Sequence, residues 1–190
     1  MSARLFCTLS LCTCHTHTRD MINMDWFKSL IFLILVAVAT CLCPEGFERH
    51  SDKCYKAFGL LATWVEAKRF CNILGADLAV IESQTEETII EGILKRQHGA
   101  ISPENYWIDG TDILAEGEWR WMYENGNSQP ITGYTAWTPG QPDNAGNAEH
   151  CLEIRYSFGV HWNDYECDHK QNFLCSAPNS SPGRKIKSNF

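Results

Sequence analysis

The chain has 190 residues, ten of them cysteine, and a net charge of −7. That length suits one domain with a real core plus extensions, and the acidic balance argues against nucleic acid as a partner and offers no basic face to an anionic membrane. The cysteine usage fits an oxidising compartment.

Residues 1–20 show no apolar periodicity and match no targeting segment. Met21 and Met24 stand just before a signal-like stretch, so we expect the true start at one of them and read 1–20 as a spurious or unstructured extension. Cys12, Cys14, His15 and His17 lack regular two-pair zinc spacing within a foldable unit and are taken as a compositional accident. From Lys28, a basic residue leads into an apolar run that ends in Ala37-Val38-Ala39. This is the grammar of a secretory signal peptide, assigned to 21–40 with cleavage near Ala39 or Thr40. The uncharged run, residues 29–43, is shorter than the about 20 residues a spanning helix needs, so no stable membrane anchor is expected.

The mature domain is expected over 43–177. Cys43 and Cys54 bracket a polar turn at 49–52, with Phe47, Tyr55 and Phe58 at strand-like positions, which suggests a disulfide-closed hairpin. Residues 63–74 carry Trp64, Ala67, Phe70, Cys71 and Leu74 on one helical face, with Thr63 to cap the start and Gly75 to end it. A short buried strand follows at 77–81. A second helix starts at Ser83, which forms a capping box with Glu86; its buried stripe is Ile89, Ile90, Ile93 and Leu94, and it ends near His98 and Gly99. Tyr106, Trp107 and Ile108 read as a strand, residues 110–112 as a turn, and Trp119, Trp121 and Tyr123 as an alternating second strand.

Residues 124–147 form a long polar stretch rich in Gly, Asn, Pro and Gln. A loop of that length in a compact domain is usually functional, and Tyr134 and Trp137 are expected to pin it to the core. It leads into two oxygen-rich clusters, Gln141-Pro142-Asp143 with Glu149, and Asn163-Asp164 after Trp162. Carboxylates and side-chain amides are the hard oxygen donors that calcium selects. Residues 141–164 therefore read as a calcium cradle. Trp162 beside it is expected to pack in the core, and His150, His161 and His169 to be surface or supporting residues.

Taken in order, these features resemble the C-type lectin-like domain family. The resemblance covers Cys43 to about Ala177 and is carried by Glu66, Ala67 and Cys71 on the first helix, by Trp107-Ile108-Asp109-Gly110 as a variant of the family's Trp-Ile-Gly-Leu motif, and by Glu118-Trp119-Arg120-Trp121. It continues through Trp137, Gln141-Pro142-Asp143, Glu149, Cys151, Trp162-Asn163-Asp164, Cys167 and Cys175. It implies an α+β fold, two helices flanking small antiparallel sheets with a long calcium-binding loop, stabilised by disulfides. Six cysteines allow 15 pairings; the resemblance implies Cys43 to Cys54, Cys71 to Cys175 and Cys151 to Cys167. On the chain-entropy account the long bridge contributes about 4–5 kcal/mol and the short one near the site about 3 kcal/mol.

The resemblance also implies that Gln141, Asp143, Glu149, Asn163 and Asp164 bind Ca2+ and, through it, two vicinal sugar hydroxyls. Pro142 would then be cis, as only X-Pro bonds are cheaply. The Gln-Pro-Asp order is similar to the family's galactose-type motif, which implies glycans ending in galactose or N-acetylgalactosamine. The residues after it, 144–147, lack the aromatic that stacks on galactose in many such lectins; Trp137, Tyr156, Phe158 and His161 are the remaining aromatic candidates. A second, weaker calcium site would use Asp112, Glu116 and Asn144.

Enzyme motifs are missing. There is no G-x-S-x-G, H-E-x-x-H, P-loop or dinucleotide glycine pattern, and paired carboxylates for glycoside hydrolysis are the same groups that calcium would occupy. The tail, 178–190, carries a glycosylation sequon at Asn179 and is expected to be disordered. The expectation is thus a secreted, extracellular, calcium-dependent lectin serving glycan recognition in innate defence, homo-oligomeric for avidity. The alternatives are a matrix or biomineral-associated calcium-binding protein and a calcium-independent protein-binding module of the same fold.

Overall fold

The computed structural model describes residues 43–97, 105–123, 126–156 and 160–179. The expected extension, signal peptide and tail beyond Asn179 lie outside these residues, as do His98, Gly99 and Phe158. The compact unit is Cys43–Pro178.

Strands β1 (Glu48–His50) and β2 (Lys53–Ala62) form the predicted antiparallel hairpin, tied by the Cys43 to Cys54 disulfide. Helix α1 (Trp64–Ile73) opens on a full capping box, in which Thr63 and Glu66 satisfy each other's main-chain N–H groups. Trp64, Ala67 and Cys71 are buried along one face, and the Trp64 indole donates to the Ile108 carbonyl at 2.9 Å. Phe70 sits at the edge of that face, its ring 5.2 Å from Phe58 and 5.3 Å from Phe173. Leu74, predicted to point inward, is 37% exposed: it is the C-cap, where the helix ends, and Gly75 turns the chain away with φ +71°.

Only Asp77–Leu78 pair as a strand, β3, because the edge of the last strand accepts two residues there. Ala79, Val80 and Ile81 continue buried, with Ala79 joined to Leu174 at 2.8 Å and to Asp109 at 2.9 Å through main-chain bonds. Helix α2 (Gln84–Gln97) buries Ile90, Ile93 and Leu94. Its start differs from the predicted box: Ser83 Oγ accepts from Glu86 N at 3.2 Å, but the Glu86 carboxylate reaches back to Glu82 N at 2.7 Å instead of to Ser83.

The remaining strands are β4 (Asn105–Thr111), β5 (Arg120–Met122), β6 (Ser128–Pro130), β7 (Cys151–Arg155), β8 (His161–Tyr165) and β9 (Gln171–Pro178). Gly110 and Thr111, expected to turn, belong to β4, because they pair with Trp121 and Arg120; the turn begins at Asp112. The strands connect in the order β1-β2-β9-β4-β5-β6, with β7 branching from β4 and β8 from β7; every pair is antiparallel except β4 with β9. One core cluster joins α2 to Ile108, Trp121, Leu152 and Trp162, and the other joins α1 to Trp107, Phe173 and Cys175. The Cys71 to Cys175 disulfide fastens α1 to β9 within the second cluster.

Asp109, the departure noted in the Trp-Ile-Gly-Leu motif, is fully buried and paired. Lys68 Nζ lies 2.6 Å from its carboxylate and 2.7 Å from that of Asp77, and Met122 N donates to its other oxygen at 2.9 Å. Burial pushes the Asp109 carboxyl up to about 8, against the opposing pull of the Lys68 charge. Among the described residues no helix is long and apolar enough to cross a membrane.

Candidate functional site

The long loop is held to the core from both sides. Trp137 packs edge-on against Trp119 and Trp162, with ring centroids 4.9 and 5.7 Å away. Main-chain bonds from Thr138 to Trp162 and from Trp162 to Ala136, both 2.8 Å, lay the loop along the start of β8. The Tyr134 hydroxyl donates to Glu87 on α2 and lies 3.1 Å from Gln84. Trp162 itself is fully buried.

This anchoring brings the two predicted clusters together. Carboxylate oxygens of Asp143, Glu149 and Asp164 all lie within 4.8 Å of one another. The Gln141–Pro142 peptide is cis. Asp164, fully buried on β8, accepts main-chain N–H groups from Asp143 at 3.2 Å and from Asn144 at 2.7 Å. Glu149 accepts from Ala145 N at 3.2 Å, while its own N–H donates to the Asn144 side-chain oxygen at 3.1 Å. The loop backbone is thus wrapped around the carboxylates. The Cys151 to Cys167 disulfide joins the strand after Glu149 to the turn after Asp164.

The charge balance of the group is negative. Burial holds the Glu149 carboxyl above its ordinary range; the Ala145 N–H opposes this, and the charges of Asp164 and Asp143 reinforce it. Two further oxygens of the predicted donor set accept no hydrogen bond within the protein. Gln141 Oε1 and Asn163 Oδ1 are buried without any hydrogen bond. A buried acceptor left unsatisfied costs about 1–3 kcal/mol. Three clustered carboxylates and two orphaned amide oxygens are the donor set of a hard cation, so the residues fit Ca2+.

A second group of possible ligands gathers at Asp112 and Glu116. Asp112 and Glu116 are joined by His150, with Nδ1 3.1 Å from Asp112 and 3.4 Å from Glu116. The Asn144 side-chain oxygen accepts the Glu149 N–H at 3.1 Å. Asp112 Oδ2 also accepts from Gly117 N at 2.8 Å. Of the aromatic candidates for sugar stacking, Trp137 is spent on the core, Tyr156 is half-buried against the core, and His161 is exposed.

One residue of the site was missed from sequence. Glu153 on β7 is fully buried beneath Asn163 and accepts its amide N–H at 3.0 Å. The signal was available: a glutamate inside the apolar strand 151–155 demands a buried polar partner.

Comparison with known proteins decides the lineage. The profile of the Lectin C-type domain matches residues 61–177. The chain belongs to the C-type lectin domain family. Among relatives of this C-type lectin domain, perlucin of Haliotis laevigata is 39% identical over 134 residues, covering 70% of this chain and 81% of perlucin. The galactose-specific lectin nattectin of Thalassophryne nattereri is 33% identical over 138 residues, covering 73% of this chain and 82% of nattectin. The carbohydrate-recognition domain of the mouse scavenger receptor C-type lectin superposes with a TM-score of 0.62 at 33% identity, covering 72% of this chain and 98% of that domain. The C-type lectin fold is thus a binding scaffold and not an enzyme.

Proposed function

We propose that this chain is a secreted glycan-binding lectin whose site is completed by Ca2+. The observation that supports the reading is the cluster of Asp143, Glu149 and Asp164 carboxylate oxygens within 4.8 Å of one another, together with the burial of Gln141 Oε1 and Asn163 Oδ1 without a hydrogen bond. Calcium would supply the charge those five groups lack and the open coordination positions that bind two vicinal hydroxyls. The residues around it would orient the sugar: each hydroxyl that meets the ion donates to a carboxylate and accepts from an amide N–H.

The Gln141–Asp143 order supports a galactose or N-acetylgalactosamine preference, and the galactose-specific relative nattectin supports it too. The mature protein would begin near Cys43, carry a glycan at Asn179 and gain avidity as a homo-oligomer, acting in innate defence. A glycan array run with and without calcium tests the reading. Signals on terminal galactosides that vanish in EDTA and in Asp143→Ala are expected. A wild-type protein that shows no calcium heat in calorimetry would sink the calcium reading, and calcium-dependent signals confined to mannose-type sugars would sink the galactose assignment alone.

A further inference from the structure

Asn163 presents an ambiguity that the site must resolve. Its side chain is an amide, with an oxygen on one side and an N–H2 on the other. Only the oxygen can face a cation. The residue is 1% exposed, so water cannot choose the orientation.

Glu153 makes the choice. It stands directly opposite Asn163 in the β7–β8 register. Asn163 Nδ2 donates to Glu153 Oε1 at 3.0 Å and also to the main-chain oxygen of Asp164. An ionised carboxylate accepts and never donates, so it takes the N–H2 side of the amide and leaves Oδ1 free on the other. That Oδ1 is the atom buried without a partner. Glu153 is held in turn: Arg155 Nε donates to the same Oε1 at 2.7 Å, and the Arg155 guanidinium lies 5.8 Å from the centre of the Tyr165 ring.

We propose that Glu153 is a positioning residue for the cation site: its buried carboxylate locks the Asn163 amide with the oxygen toward the Asp143–Glu149–Asp164 group. The assignment rests on the calcium reading above. Outer partners that orient a metal ligand typically change affinity by 10–100-fold when removed.

The test measures Ca2+ affinity by calorimetry on the full mature domain, with thermal melts in EDTA as the check on folding. Glu153→Gln removes the charge and allows the amide to turn either way, so affinity should fall about 10–100-fold. Asn163→Asp added to Glu153→Gln should restore affinity to within a few-fold of wild type, because a carboxylate presents an oxygen in both orientations. A merely structural role for Glu153 would not produce that rescue. Glu153→Gln that melts and binds calcium as wild type does overturns the proposal, as does a folded double variant that stays weak. If Glu153→Gln does not fold, the double variant decides alone: calcium binding supports the proposal, and a folded double variant without it overturns it. A wild type without calcium affinity overturns the calcium reading itself, and the positioning role with it.

Discussion

Asp164 accepts the main-chain N–H of Asn144 at 2.7 Å across 20 positions of sequence. One carboxylate therefore serves as candidate metal ligand and as the cap that holds the loop. Asp143, exposed at the rim, has only the first of these roles available. The two residues should separate in experiment. Asp143→Ala should leave the melt in EDTA unchanged and abolish the rise that calcium gives the wild type, a gain of about 2.7 kcal/mol at a hundredfold excess over Kd. Asp164→Ala should lose that rise and also cost about 1 kcal/mol or more in EDTA, since the main-chain N–H groups of Asp143 and Asn144 lose their acceptor. Differential scanning calorimetry with and without calcium reads both.

Stability without calcium should fall as pH rises from about 4 to about 8. The Asp109 carboxyl is raised by burial to about 8 in the folded protein, against about 3.9 in an unfolded chain. Between those values the native state binds more protons than the unfolded state, so the unfolding free energy declines with pH. Burial also raises Glu87 and Glu153, which act in the same direction. Asp109→Asn should flatten the decline relative to wild type, while Lys68 keeps its contact with Asp77. Urea unfolding in EDTA at several pH values measures the slope.

Tyr134→Phe should loosen the long loop. The Tyr134 hydroxyl bonds Glu87, whose residue is 7% exposed. Removing it leaves a nearly buried carboxylate short of a donor, at a cost of about 1–3 kcal/mol. Hydrogen exchange should quicken at Thr138 N and Gln141 N, while exchange in β9 stays protected.

Gly110→Ala should destabilise the domain. A Cβ at Gly110 would lie 2.7 Å from Leu152 Cδ1 and 2.8 Å from Leu152 Cβ. The second contact is close to the backbone of β7, so rotamer change cannot relieve it, and overpacking of this kind costs about 1–3 kcal/mol. Adding Leu152→Ala, which keeps that Cβ and empties a buried core position, should lower the thermal melt further instead of recovering the loss.

Much of the fold is legible in the sequence. The helical period of Trp64, Ala67 and Cys71 located α1, the Ile90, Ile93 and Leu94 stripe located α2, and the oxygen-rich clusters pointed to a candidate site whose three carboxylates the fold does bring together. These signals are local: side-chain period and turn composition are set by neighbours within a few residues. Strand limits were less legible. β3 stops at Leu78 and β4 runs on to Thr111 because strand length depends on which partner edge is present, which no local window contains.

The sequence by itself determined the donor chemistry, the order of cysteines and aromatics, and hence the family. Only the tertiary structure decided which donors meet. His150 lies beside Asp112, 38 positions away in sequence, and Glu153 pairs across the strands with Asn163. Each of these pairings is fixed by cross-strand register and by the path of a loop. A contact between residues far apart in sequence is chosen by how the whole chain packs, not by the residues that flank either partner.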